Sequence, residues 1–222
     1  MNAEALVILS GGQDSTTCLY WALARFGSQS VASLTFDYGQ RHRIELDSAR
    51  NVAAFAGIPN VVLPIDTFAV LGGNALTDPA RAVPVAAEPG GGLPETFVPG
   101  RNLVFLTFAA AYAWPRGITH LVTGVAQTDY SGYPDCRRET IDALEKTLSL
   151  GLERDMQIHT PLMDLSKKQT VLLAKELGAI DALALTHSCY HGLRPPCGVC
   201  AACRLRAKGF AEAGIPDPLM PS

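Results

Sequence analysis

Two stretches combine residue types and spacings that could do chemistry. The first is LVILSGGQDSTT, Leu6 to Thr17, in which an apolar run ends in Ser10-Gly11-Gly12 and continues into Asp14-Ser15-Thr16-Thr17. Gly11 and Gly12 allow backbone angles that a Cβ forbids and let the main chain come close to a ligand. Backbone N–H groups at the start of the following helix point at that ligand, and the helix dipole favours an anion there. With the hydroxyls of Ser10, Ser15, Thr16 and Thr17, this is a phosphate cradle. A plain strand-to-helix turn capped by Asp14 would account for Gly-Gly alone, but not for the whole run. The second stretch holds Cys189, Cys197, Cys200 and Cys203, four thiols within fifteen residues. Four sulfurs suit a tetrahedral zinc ion, and Pro195-Pro196 and Gly198 supply turns to wrap it. His187 and His191 are nearby alternatives, but four thiolates already complete a site.

The cradle is neither of the common ones. No lysine follows Gly12, so it is not a Walker A loop. G-x-G-x-x-G is absent, so it is not a dinucleotide fingerprint. Ser-Gly-Gly-x-Asp-Ser instead resembles the PP-loop of enzymes that cleave ATP between the α- and β-phosphates and adenylate an oxygen of their substrate.

The elements around these stretches follow from periodicity. Apolar spacing predicts helices over 16–26, 44–56, 103–113, 139–150 and 166–177, and strands over 31–36, 61–65, 120–125 and 157–160 besides the run before Ser10. The alternation β-α-β-α-β implies an α/β fold with a Rossmann-like parallel sheet, whose ligands gather at the C-terminal ends of the strands. SGGQDS and DYGQRH both lie at such ends. The helix over 103–113 is almost wholly apolar and is expected to be buried. At its start Arg101 opposes the dipole, so it is either solvated or matched to an anion. Ser166 and Gln169 form a capping box, with Lys167 and Lys168 in the first turn, either solvated or facing phosphates. Residues 66–100, rich in glycine and proline, read either as an excursion that could cover the site or as a solvated insertion. The cysteine-bearing C-terminus shows little hydrophobic periodicity and is expected to be ordered by its metal. The expected division is therefore 1–186, an ATP-binding α/β domain, and 187–222, a small zinc-binding segment.

Composition narrows the function classes. A net charge of −3 lacks the basic footprint of a protein whose whole surface grips nucleic acid. There is no basic-then-apolar leader and no membrane-length apolar run, so a cytoplasmic location without membrane association is expected. In a reducing compartment the clustered cysteines read as metal ligands rather than disulfides. Cys18 reads as core, and Cys136, in a loop after a strand, as a weaker catalytic candidate.

Taken together, LSGGQDSTTCL, TFDYGQRHR, TFVPGRN, TGVAQTDYSGYPDCR, TPLM and CGVCAACRLR resemble the QueC family of 7-cyano-7-deazaguanine synthases over nearly the whole chain. The resemblance implies a PP-loop ligase that converts 7-carboxy-7-deazaguanine, ammonia and ATP, with Mg2+, into the nitrile. It implies one zinc per chain on Cys189, Cys197, Cys200 and Cys203, a homodimer, and no direct binding of tRNA. ATP would lie on Leu9, Ser10, Gly11, Gly12, Gln13, Asp14, Ser15, Thr16, Thr17, Cys18 and Leu19. Lys167 matches the family's lysine in that stretch and would meet phosphate charge, with Arg101 a second candidate. The Tyr133-Pro134-Asp135 loop and Arg138 would meet the base, Asp135 by pairing with a guanine-like N–H edge. Two other readings share the loop: a PP-loop enzyme that thiolates or adenylates tRNA, which should carry an RNA-binding appendage, and a non-enzymatic zinc-stabilised nucleotide-binding module.

Overall fold

The computed structural model describes residues 3–40, 43–71, 93, 97–127 and 133–220. Most of the 66–100 excursion and residues 128–132 lie outside the described residues, as do Arg41 and His42 of the DYGQRHR stretch. Strands β1 (Ala5–Ile8), β2 (Val31–Asp37), β3 (Asn60–Pro64), β4 (His120–Val122) and β5 (Gln157–His159) alternate with helices α1 (Gln13–Phe26), α2 (Ile44–Phe55), α3 (Thr67–Leu71), α4 (Arg101–Ala113) and α5 (Arg138–Gly151). Helices α6 (Lys167–Glu176), α7 (Ile180–Leu183) and α8 (Ala201–Ala213) follow β5. The described strands form one parallel five-stranded sheet in the order β3-β2-β1-β4-β5. The chain winds outward from β1 through β2 to β3, then returns to β1's other side with β4. The crevice at this reversal, between the C-terminal ends of β1 and β4, is where parallel α/β sheets bind ligands.

Strand periodicity sorts the side chains into two layers. Leu6, Leu34 and Leu121 pack on one face with Leu106, Ala109 and Ala110 of α4 and Ile141 of α5. Ala5, Val7 and Val122 pack on the other with Cys18, Leu19 and Ala22 of α1 and Ala49, Val52 and Ala53 of α2. Cys18 is thus a core residue, and burial pushes its thiol well above the usual range. On β2, Thr35 donates from Oγ1 to the carbonyl of Leu9 at 2.7 Å, which fixes the path of the chain as it leaves β1.

Two expectations need correction. Helix α4 is not wholly buried: a stripe of Leu106, Ala109, Ala110 and Ala113 meets the sheet, while Phe108 is 44 % exposed. One helix lying on one sheet face can bury only one stripe, whatever the composition of its other side. The segment after Cys200 is also more regular than its weak periodicity implies. It forms α8, which seats Phe210 among Val171, Ala174, Ala179 and Leu183.

Beside α1 lies an aromatic cluster with two imidazoles. His120 and His159 approach at 3.0 Å between Nδ1 and Nε2, next to Trp21 and Phe26. Burial, then His120 and Arg25, hold His159 down at a pKa of about 4 rather than 6.5. Between about pH 6.5 and 4 an unfolded chain would therefore bind a proton that the folded chain refuses. Stability is full above this window and is lost as pH falls through it. Thermal melts across the window should show Tm dropping below about pH 6.5. His159→Phe should flatten that drop; an unaltered pH profile in the variant would mean that other groups cause it.

Candidate active site

The phosphate loop is preformed by its own hydroxyls. Ser15 Oγ accepts from the N–H of Ser10 at 3.2 Å and donates to the carbonyl of Gly12 at 3.1 Å. Ser10 Oγ lies 3.0 Å from Ser15 Oγ and accepts from the Gly12 N–H at 3.4 Å. Gly12 takes the N-cap position of α1 with no side-chain cap, so Asp14 is not a cap but a first-turn residue. The first N–H groups of α1 have no intrahelical acceptor and remain free to meet an anion.

Gly11 takes the kind of backbone conformation that the sequence offers it for, but the close approach it permits has a different partner. Its φ is +82°, and a Cβ there would lie 2.5 Å from the carbonyl oxygen of Glu45 and 2.7 Å from the nitrogen of Ala49. The close approach is to helix α2 rather than to a ligand. Gly124, at the end of β4, is similar: a Cβ would lie 3.1 Å from the nitrogen of Ser15. The loop is therefore wedged between α2 and the β4 exit.

The structure brings Lys167 onto this loop. Its Nζ is 2.6 Å from Asp14 Oδ2, and its side chain is only 12 % exposed. The capping box predicted for α6 is present, with Ser166 Oγ accepting from the Gln169 N–H and Gln169 Oε1 accepting from the Ser166 N–H. It fixes the first turn that carries Lys167. Gln13 Nε2, Asp14 Oδ1 and Thr16 Oγ1 are buried with no hydrogen-bond partner among the described residues. Buried polar groups are rarely left so. A loop bearing them fits a nucleotide, with its phosphates, metal and ordered water, better than it fits an empty turn. Thr17 Oγ1 instead donates to the Gln13 carbonyl, and Leu9, Cys18 and Leu19 have side chains in the core, so from these only main chain could face a nucleotide.

A second group of candidates meets around Arg101. Its guanidinium lies over the ring of Tyr38 at 5.7 Å and donates to Tyr38 Oη at 3.4 Å. Burial works against its charge, but Tyr38, Tyr133, Tyr190 and Asp135 around it outweigh burial and raise its pKa. Asp135 is 4 % exposed, and its Oδ2 accepts from the Asn102 N–H at 3.0 Å, in the first turn of α4. One of its oxygens thus anchors the helix start from which Arg101 projects. The side chain of Asn102 donates to Cys136 Sγ at 3.2 Å, placing that cysteine against α4. Arg138 is 44 % exposed, with its guanidinium 3.7 Å from Asp142.

Glu45 joins the two groups. Its main-chain carbonyl borders Gly11, while its half-buried carboxyl feels the charge of Arg101. Burial raises its carboxyl to a pKa of about 7, against the opposing pull of Arg101. Glu45 and Tyr190 escaped the sequence reading, whereas Tyr38 lies in the DYGQRH stretch already placed at a strand end. An acidic residue in a first helical turn looks like ordinary dipole compensation, and Tyr190 gave no sign beyond its position next to Cys189.

The four cysteines converge as predicted. The Sγ atoms of Cys189, Cys197, Cys200 and Cys203 all lie within 4.8 Å of one another. A tetrahedron with Zn–S bonds of 2.3 Å needs sulfurs about 3.8 Å apart, so the group can close on a metal ion with small adjustments. Backbone N–H groups of Cys197 and Cys200 donate to the Sγ of Cys189 and Cys197 at 3.5 and 3.4 Å, as suits thiolates. Burial would raise the Cys197 thiol, but N–H groups of Cys200 and Val199 prevail and lower it to about 5. The cluster is coupled to the phosphate loop by His187, whose N–H donates to the Gly11 carbonyl at 2.8 Å and whose Nε2 lies 3.0 Å from the Cys189 carbonyl.

Comparison with known proteins supplies the chemistry that this geometry serves. The family described as "Queuosine biosynthesis protein QueC" matches residues 4–214. The 7-cyano-7-deazaguanine synthase of Chromobacterium violaceum is 66 % identical over 217 residues, covering 98 % of this chain and 93 % of that protein. The synthase of Laribacter hongkongensis is equally similar, at 66 % over 217 residues, with 98 % and 94 % covered. That of Nitrobacter hamburgensis is 51 % identical over 236 residues, with 96 % and 95 % covered. Among solved structures, a 4-thiouridine synthetase–RNA complex with bound ATP superposes with a TM-score of 0.51 at 17 % identity, over 96 % of this chain and 50 % of that one. At that identity the likeness shows a shared fold, a PP-loop-type parallel sheet, and nothing of substrate.

Proposed function

The chain belongs to the QueC family, an ATP-dependent ligase family that makes 7-cyano-7-deazaguanine for queuosine biosynthesis, and on that premise we propose how its residues divide the work. The loop from Leu9 to Leu19 holds ATP by its main chain and hydroxyls, and Lys167 meets the phosphates. The Arg101 group receives 7-carboxy-7-deazaguanine. The observation that carries this division is the pair of adjacent sites, linked by Glu45, one shaped for an anion and one offering a half-buried cation among tyrosines.

A carboxylate resists ammonia because its oxygen is a poor leaving group. Attack of the substrate carboxylate on the α-phosphorus of ATP forms an acyl adenylate and releases pyrophosphate. Ammonia then adds to the acyl carbon, loses a proton, and expels AMP to leave the amide. The amide oxygen then attacks the α-phosphorus of a second ATP and expels pyrophosphate; loss of AMP and the two remaining N–H protons leaves the nitrile. Both steps need negative charge neutralised where it develops and water kept away. Lys167 is placed for the first task, with Mg2+ supplying further charge compensation when ATP is bound. Arg101 is placed to hold the carboxylate that attacks. Tyr38, Tyr133 and Tyr190 give the base flat partners, and Asp135, with Oδ2 on Asn102, keeps Arg101 in place while its other oxygen serves an N–H edge of the base. Residues 187–222 form the metal-binding segment, with one zinc on the four cysteines as a structural ion. The enzyme works in the cytoplasm as a homodimer on free ammonia, without binding tRNA itself.

Purified protein mixed with 7-carboxy-7-deazaguanine, MgATP and ammonium, with base and nucleotide products followed together by mass spectrometry, tests the scheme. Nitrile with matching AMP is expected. Nitrile with ADP would replace adenylation by phosphoryl transfer. Failure of folded, zinc-replete protein to turn over this acid would move the substrate elsewhere, with tRNA next in line.

A further inference from the structure

Helix α8 has a glycine in its interior, where glycine costs about 1 kcal/mol relative to alanine. Gly209 is buried, and the reason is contact with one residue. A Cβ at this position would lie 3.0 Å from Lys167 Cβ, 3.1 Å from the Lys167 carbonyl oxygen and 3.2 Å from its carbonyl carbon. The neighbour is main chain in the first turn of α6, which the Ser166 capping box holds and which cannot move as a flexible side-chain tip would. The other end of α8 is fixed independently. Cys200 is its N-cap and Cys203 lies in its first turn, both in the thiol cluster. Arg206, one turn on, donates to both Asp217 oxygens at 2.7 Å and to Thr186 Oγ1 at 2.8 Å. A rigid rod thus runs from the cysteine cluster to the backbone of Lys167, whose Nζ ends 2.6 Å from Asp14 in the phosphate loop.

We propose that Gly209 is a positioning residue for Lys167: its missing side chain lets α8, anchored by the cysteine cluster, seat on the first turn of α6 and set where the lysine ammonium meets the phosphates. The cluster then acts on the ATP site through a mechanical support as well as through the His187 contact with Gly11. The inference rests on Lys167 being the phosphate ligand.

Gly209→Ala pushes the Lys167 main chain outward by a few tenths of an ångström, since a Cβ contact of 3.0 Å is tighter than packing allows. Misplacing a catalytic group by 1 Å costs about a hundredfold, so the expected effect of this smaller shift is a fall of about tenfold in kcat/KM for MgATP. The KM for 7-carboxy-7-deazaguanine and the metal content per chain should stay as they were. Adding a similar bulk on the exposed side of the same helix, Ala211→Val, should change nothing. Acting through the lysine also predicts non-additivity: combined with Lys167→Ala, Gly209→Ala should cost nothing further. Equal losses in both backgrounds, or an unchanged kcat/KM for MgATP in folded Gly209→Ala, would overturn the proposal. Should that variant not fold, Phe210→Leu loosens the same junction without a clash and should show the same selective loss and the same non-additivity, and their absence would overturn it too. Retention of full activity by Lys167→Ala alone would instead remove the reading of Lys167 on which this rests.

Discussion

Lys167→Ala is expected to lower kcat/KM for MgATP by about two to three orders of magnitude, the usual loss when a preorganised donor facing transition-state charge is removed. The lysine is largely shielded from water and points at the loop, so its charge acts where screening is weak. Its loss also strips Asp14 of its cation, leaving in the loop proposed to hold the phosphates a carboxylate whose Oδ1 has no hydrogen-bond partner among the described residues. Repulsion of ATP then adds to the missing attraction. Lys167→Arg should not rescue the rate, because a planar fork is larger and cannot occupy the position of a point charge. Steady-state kinetics with the concentrations of ATP and base varied separately would show the loss on the ATP side. Activity within a few-fold of the parent would mean that another cation, with Arg101 first in line, meets the phosphates.

The second large effect belongs to Cys200→Ser. Cys200 has no exposed surface, takes the N-cap position of α8 and supplies one of the four sulfurs of the proposed zinc site. Structural zinc sites contribute apparent binding energies on the order of 10 kcal/mol to folding, comparable with the whole stability of a domain. The variant should retain less than one zinc per chain by elemental analysis, melt at a clearly lower temperature, and lose activity together with the order of α8. Strong chelators acting on the unaltered protein should reproduce the loss. Full zinc occupancy in Cys200→Ser would show that the ion sits elsewhere.

What the sequence disclosed, it disclosed through local rules. The parallel sheet could be read because β1, β2 and β3 alternate with helices whose apolar periods are clear, and the α6 capping box because it involves neighbours in the chain. The cysteine cluster was visible because its ligands sit close in sequence. What stayed hidden depends on contacts between distant segments. Gly11 reads as a ligand-facing glycine until α2 is seen against it. Glu45 and Tyr190 have nothing in their own neighbourhoods that marks them, and they join Arg101 only through the folded chain. Asp135 was legible as a carboxylate near the site, but its bond to the start of α4 was not. Helix α8 escaped for a further reason: it buries a single large apolar side chain, Phe210, alongside the charged Arg206 and a glycine, so its amphipathic signal is faint.

The strand order has a consequence for synthesis on the ribosome. The phosphate loop emerges before every part that completes it. Strand β1 waits for β4 on one side, and the loop waits for Lys167 before it gains its cation and for His187 before the Gly11 carbonyl is met. Contacts of such long separation form slowly, because closing a long loop precedes any reward from it. The nascent chain therefore carries an unfinished anion cradle until Lys167 and His187 have been made, and nucleotide gains its full hold on the fold only after both have left the exit tunnel.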